Sequence, residues 1–185
     1  MDSDRLDAVK QRVRRAYELD RLRRALLGFA PMLLMIAVAA VIGSRYALSV
    51  PAGALLFVSG VLSLWYGRDL GRGVLPGVIG GSLALVLALC ANHMGHLCTG
   101  ERCLSWCLPA CVTGGVLAGG IVSFPGFKHQ RGAGYWVSAS GVTLLTGALG
   151  CSCVGYAGIG GLALGFLGAL FVGTVSSLGR RPAGP

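Results

Sequence analysis

Charge is what this sequence has least of. Asp, Glu, Lys and Arg make up 12% of its 185 residues, about half the share found in a soluble globular domain. None of the four occurs in Ala25–Ser44, Ala47–Gly67, Gly73–Gly100, Cys103–Phe127 or Gly132–Gly179. A bilayer core is crossed by roughly 20 predominantly apolar residues. The five gaps hold six such stretches, because the last is long enough for two, and spans are expected at 25–43, 49–66, 74–91, 107–124, 135–150 and 155–178. The expected fold is all-α: a polytopic membrane protein, a compact glycine-rich bundle of six transmembrane helices. A P-loop and a nucleophile motif are also absent, which points away from an enzyme. No cleavable signal peptide is visible, because the N-terminal region mixes five acids with eight bases and a full-length apolar span follows it.

The basic residues that do occur are unevenly placed. Six spans put both termini on one side. That side collects Arg5, Lys10, Arg12, Arg14, Arg15, Arg21, Arg23 and Arg24, then Arg68, Arg72, Lys128, Arg131, Arg180 and Arg181. Only Arg45 and Arg102 fall on the other. The positive-inside rule makes the richer side cytoplasmic. Orientation in a membrane accounts for the net charge of +9, so no nucleic-acid partner is required. The expected organisation is a cytoplasmic N-terminal helix over 1–24, a transmembrane domain over 25–178, and a disordered cytoplasmic tail over 179–185.

Glycine, by contrast, is abundant, with 31 copies. Gly73, Gly77 and Gly81 are spaced by four, as are Gly115–Gly119 and Gly161–Gly165. Small residues at that spacing let helices approach closely. They are read as bundle packing and not as a site.

Cysteine is concentrated too. All seven cysteines fall at the non-cytoplasmic face of the six-span arrangement, most of them in "ANHMGHLCTGERCLSWCLPAC" and the pair Cys151 and Cys153 in "GCSCVGY". Outward thiols meet an oxidising compartment, where disulfides persist. Three readings stand side by side. A structural disulfide would tie the second outward loop to the last. A soft-metal site, for zinc or a similar ion, would use His93, His96, Cys98 and Cys103, although H-x2-H-x-C-x4-C is not a standard zinc spacing. A redox or metal sensor would change thiol state and move a helix. Ser105 is expected to cap the fourth span, with Pro109 in its first turn, and Cys107 and Cys111 then share one face of that span.

The N-terminus "MDSDRLDAVKQRVRRAYELDRLRRALLGF" reads as a helix. Leu6, Val9, Val13 and Tyr17 recur at helical spacing, and Asp2, Asp4 and Asp7 favour its start. The stripe is too thin to fold a domain alone. It suits either the anionic inner leaflet or a partner's groove.

With these parts in place, the chain resembles the six-span membrane anti-sigma factors, typified by the negative regulator of sigma factor F and by the carotenoid regulator. The likeness rests on the short charged N-terminal segment, on "GERCLSWCLPACVTGGVLAGG" with the basic "FKHQRGAG" after it, and on "GALGCSCVGYAGIGGLALGFLGALF". It implies a protein of the bacterial inner membrane whose N-terminal segment binds an extracytoplasmic-function sigma factor, here through Leu6, Val9, Arg12, Val13 and Tyr17. It implies sensing by Cys103 or Cys107 with Cys151 or Cys153, with Cys98 and Cys111 in the same outward set. The expected partners are that sigma factor and the lipid bilayer, with a homo-oligomer left open; no cofactor is required beyond the optional soft metal.

Two other classes remain. A small soft-metal transporter, or a membrane metal- or thiol-binding protein, would explain thiols at an outer mouth, but ionisable residues that usually mark ion pathways are missing from the spans. A membrane thiol oxidoreductase would want C-x-x-C, and this chain offers C-x-C and C-x3-C.

Overall fold

The computed structural model describes the backbone of residues 3–42, 46–93, 96–99, 102–151 and 155–178, and side chains within 9–38, 50–67, 69–91, 106–151 and 155–176, with that of residue 41. The elements are α1 (Ser3–Ile42), α2 (Tyr46–Tyr66), α3 (Arg68–His93), β1 (His96–Thr99), β2 (Arg102–Ser105), α4 (Cys107–Lys128), α5 (Ala133–Cys151) and α6 (Tyr156–Leu178). Each helix covers one charge-poor stretch. Three of them, over Asp69–Ala91, Cys107–Lys128 and Tyr156–Ser176, are long and apolar enough to cross a membrane, and Val50–Tyr66 is a shorter apolar helix. The chain is a membrane protein of helical architecture.

The change of composition at Ala25 is not a change of structure. α1 runs unbroken for 40 residues, about 60 Å at 1.5 Å per residue. Its charged half and its apolar half are one rod. Asp20 and Arg24, and Arg14 and Glu18, pair one turn apart along the charged half, with the small stabilisation of exposed i,i+4 pairs. The foot of the rod is buried at Ala25, Phe29 and Met32 against Leu56 and Val61 of α2.

Close approach of backbones sets the packing. A Cβ on Gly73, Gly77 or Gly81 would lie 2.6, 2.8 or 2.9 Å from the carbonyl oxygens of Tyr135, Ala139 and Thr143. The three contacts advance four residues at a time on both helices, so α3 and α5 run parallel in contact. Gly115 meets the carbonyl of Leu162, Gly119 that of Phe166, and Gly165 that of Val112, so α4 and α6 are parallel as well. Gly80 meets Ala118 and Gly114 meets Ala84, which makes α3 and α4 antiparallel; Gly53 on Ile36 and Gly60 on Phe29 do the same for α1 and α2. Buried hydroxyls pin the contacts. Ser138 donates to Leu70 O, Thr143 to Ala139 O at 2.7 Å and to Gly77 O at 3.2 Å, and Tyr135 to Val122 O at 2.8 Å. The Thr143 bond to Ala139 lies within α5; those that cross between helices contribute roughly 0.6 kcal/mol each inside a membrane.

The segment between α3 and α4 departs from expectation. It is an antiparallel hairpin pairing His96 with Ser105, Leu97 with Leu104, Cys98 with Cys103 and Thr99 with Arg102. Ser105 therefore does not cap α4. Its backbone is committed to the ladder, and the N-cap is Trp106, at φ −65° and ψ −10° with no side-chain bond to the helix. Pro109 does fall in the first turn, and the Thr113 hydroxyl donates back to its carbonyl at 2.9 Å.

Candidate functional site

Alternating helix directions bring the start of α4 and the ends of α3 and α5 to one end of the bundle, together with the hairpin. Every described cysteine side chain is at that end. Cys90 is exposed, Cys107 is half-buried, and Cys111 and Cys151 are fully buried. The helical period explains the gradient along α4. Cys111 lies one turn inward from Cys107, where α4 turns toward α3 and α5.

Cys111 and Cys151 meet there. Their thiols are joined by a side-chain hydrogen bond, inside a pocket closed by Ala84 and Ala88 of α3 and Leu162 of α6. The pocket owes its tightness to glycine: Gly150, beside Cys151, lies against the Leu85 backbone, and Gly147 against Leu162. Two buried thiols from two helices thus come together. That arrangement supports thiol–disulfide interconversion, since forming the bond requires only a short closing movement of the two sulfurs. In the hairpin, the register sets the Cα atoms of Cys98 and Cys103 opposite one another, a separation of about 4.5–5.5 Å in an antiparallel ladder.

The expected residues are distributed as follows. Of the expected outward set, the structure brings Cys151 to Cys111, one turn from Cys107. Cys153 lies outside the described residues, as do the side chains of Leu6, His93, His96, Cys98 and Cys103. Among the described residues no group of three or more His, Cys, Asp or Glu could hold a metal ion. The signal that would have singled out Cys111 was the i,i+4 spacing from Cys107, read together with the small residues Gly114 and Gly115 beyond it on the buried face.

At the opposite end stands the N-terminal half of α1. Val9, Val13 and Tyr17 are 58%, 64% and 67% exposed. With Lys10 and Arg14 they line a shallow groove along the rod, and Arg12 is exposed beside them. Single exposed apolar residues are normal. Three in register on one face, flanked by cations, form an amphipathic stripe.

No family model, curated protein or solved structure matches this chain.

Proposed function

We propose that this protein is a six-span anti-sigma factor of the bacterial inner membrane, with both termini in the cytoplasm. In this reading the N-terminal half of α1 holds an extracytoplasmic-function sigma factor against the membrane, and the thiols at the other end of the bundle receive an outside redox signal.

The observation that carries the reading is the single α1 rod. Its exposed stripe of Val9, Val13 and Tyr17 continues without a joint into a foot buried at Ala25, Phe29 and Met32. A partner bound to the stripe would therefore feel any movement of the foot. Helix-in-groove recognition uses anchors one turn apart along one helix face, as Val9, Val13 and Tyr17 are. The sharing out of basic residues supports the orientation, and the buried Cys111–Cys151 contact supports a chemical input at the far end. A signal must bias a two-state element to be transmitted. Here that element is the contact of α4 and α5 around the thiols.

The test is genetic and direct. Val13→Ala with Tyr17→Ala should raise expression from promoters of one extracytoplasmic-function sigma factor, while the protein stays in the membrane fraction. Truncating one buried anchor typically costs about 2 kcal/mol or more, so the double variant should lose most of its binding to that factor. If deletion of residues 1–24 leaves the activity of every such sigma factor unchanged, the assignment fails.

A further inference from the structure

The basic end of the bundle holds a second feature. A cleft of about 560 Å³ opens between α4 and α6, lined by Gly120, Ser123, Phe124, Phe127, Lys128 and Gly173, with Ser176 at its edge. Its wall is apolar along Phe124 and Phe127, and a Cβ on Gly120 would meet nothing within 4 Å. Within it, the Ser123 hydroxyl is buried and has no hydrogen-bond partner among the described residues. Leaving a buried hydroxyl unpaired is unfavourable, so the site favours an acceptor brought by a ligand.

Charge selects the class of ligand. Lys128 stands at the mouth, 5.9 Å from the centre of the Phe124 ring. A lysine at a helix C-terminus is ordinary by itself. However, the sequence holds no Asp or Glu after Glu101. α4, α5, α6 and the connections between them therefore offer Lys128 no carboxylate; the nearby one on α3, Asp69, lies beside Gly134 and pairs with Arg72 at 3.5 Å. Ser123 lies five residues before Lys128, about 7.5 Å along the helix axis. That matches the upper end of a headgroup zone of about 5–7.5 Å per leaflet, which separates a phosphate from the top of the acyl chains.

We propose that this cleft binds one anionic phospholipid, with the phosphate at Lys128, an ester oxygen accepting from Ser123, and an acyl chain along Phe124, Phe127 and the open face of Gly120. Assigning it to the inner leaflet rests on the orientation proposed above; the site itself does not.

The experiment uses the full chain in mild detergent, offered equal amounts of phosphatidylglycerol and phosphatidylcholine with identical acyl chains, with retained lipid read by native mass spectrometry. Wild type should retain one phosphatidylglycerol in about fivefold preference, the worth of one lysine near an anionic surface. Lys128→Gln should bring the ratio close to one. Gly120→Leu should reduce retention of both lipids, whereas Gly160→Leu, which also points into open space, should not. Equal retention of the two lipids by wild type, or undiminished retention in Gly120→Leu, overturns the proposal. So does displacement of the lipid by millimolar inorganic phosphate, which would mark an anion site with no acyl groove. A topology reporter that places Lys128 outside the cell defeats the regulator reading and leaves the lipid site standing.

Discussion

Oxidation of the full-length protein should join Cys111 to Cys151 and raise its thermal stability. Both sulfurs are fully buried and already in hydrogen-bond contact. Disulfide formation removes one proton and one electron from each thiol, and a chemical oxidant such as diamide takes up both pairs. The bond would close a loop of about 40 residues, for which chain entropy gives roughly 4 kcal/mol. For a chain of this size each kcal/mol moves the midpoint by about 2–4 °C, so a rise of roughly 10 °C is expected. Unfolding in detergent before and after diamide treatment measures it, with peptide mapping to locate the bond. Cys111→Ser and Cys151→Ser should each abolish the rise, and Cys90→Ser should not. The reasoning is refuted if the oxidised wild type shows no rise, or if Cys111→Ser shows the full one.

Three further outcomes follow from the same geometry. Under non-denaturing conditions a maleimide should label Cys90 first, Cys107 next and Cys111 and Cys151 slowest, because reagents, diamide included, reach the buried pair only as the bundle opens; equal labelling rates would contradict their burial. Gly115→Val, which drives a side chain into the Leu162 carbonyl, should cost at least about 1–3 kcal/mol, the usual cost of overpacking. By contrast Gly168→Ala, facing open space in mid-helix, should stabilise by about 0.5–1 kcal/mol, both read from denaturant unfolding. Reporter fusions after Lys128 and after Pro185 should both read cytoplasmic and one after Thr99 exterior; opposite signals at 128 and 99 would reverse the orientation and turn the thiols inward.

α5 is the element through which the two ends of the molecule would communicate. It carries Cys151 at its end and takes the three-glycine ridge of α3 along its length. At its other end Tyr135 binds the Val122 carbonyl of α4. Val142 and Leu149 of α5 belong to the same core cluster as Phe29 and Met32 of α1. A bond at Cys151 therefore acts on a helix that already touches the packing around the α1 foot. Contiguity of this kind is a route and not yet a coupling, which requires two discrete arrangements whose balance the thiols shift. The α1 foot also borders a cleft of about 280 Å³, lined by Phe29, Met32 and Met35 with Val74, Leu75 and Val78 of α3.

How far this was legible in the sequence depends on what each signal measures. Charge-free gaps report transfer into lipid, so they located the helices: the expected spans 49–66 and 155–178 coincide with α2 and α6 to within three residues at either end. Composition says nothing of backbone continuity, so the division at residue 24 falls in the middle of α1. Hairpin formation was missed because "HLCTGERCLS" carries no alternating apolar face, and the same oversight misassigned Ser105 as a cap. A link from the cysteines around the start of the fourth span to those of the last outward loop was expected, but which of them meets Cys151 was not legible, for a deeper reason. In a soluble helix the apolar stripe tells which face is buried. In a span apolar all round, that contrast vanishes, and Val112, Val116 and Leu117 lie exposed on α4 while Cys111 and Ala118 are buried. What replaces hydrophobic periodicity is steric room. Gly115 and Gly119 mark the face of α4 that touches α6, Gly114 the face toward α3, and Cys111 lies one turn above both. Read for room and not for greasiness, the sequence does point at Cys111, because a small side chain in line with packing glycines is held where another helix must arrive.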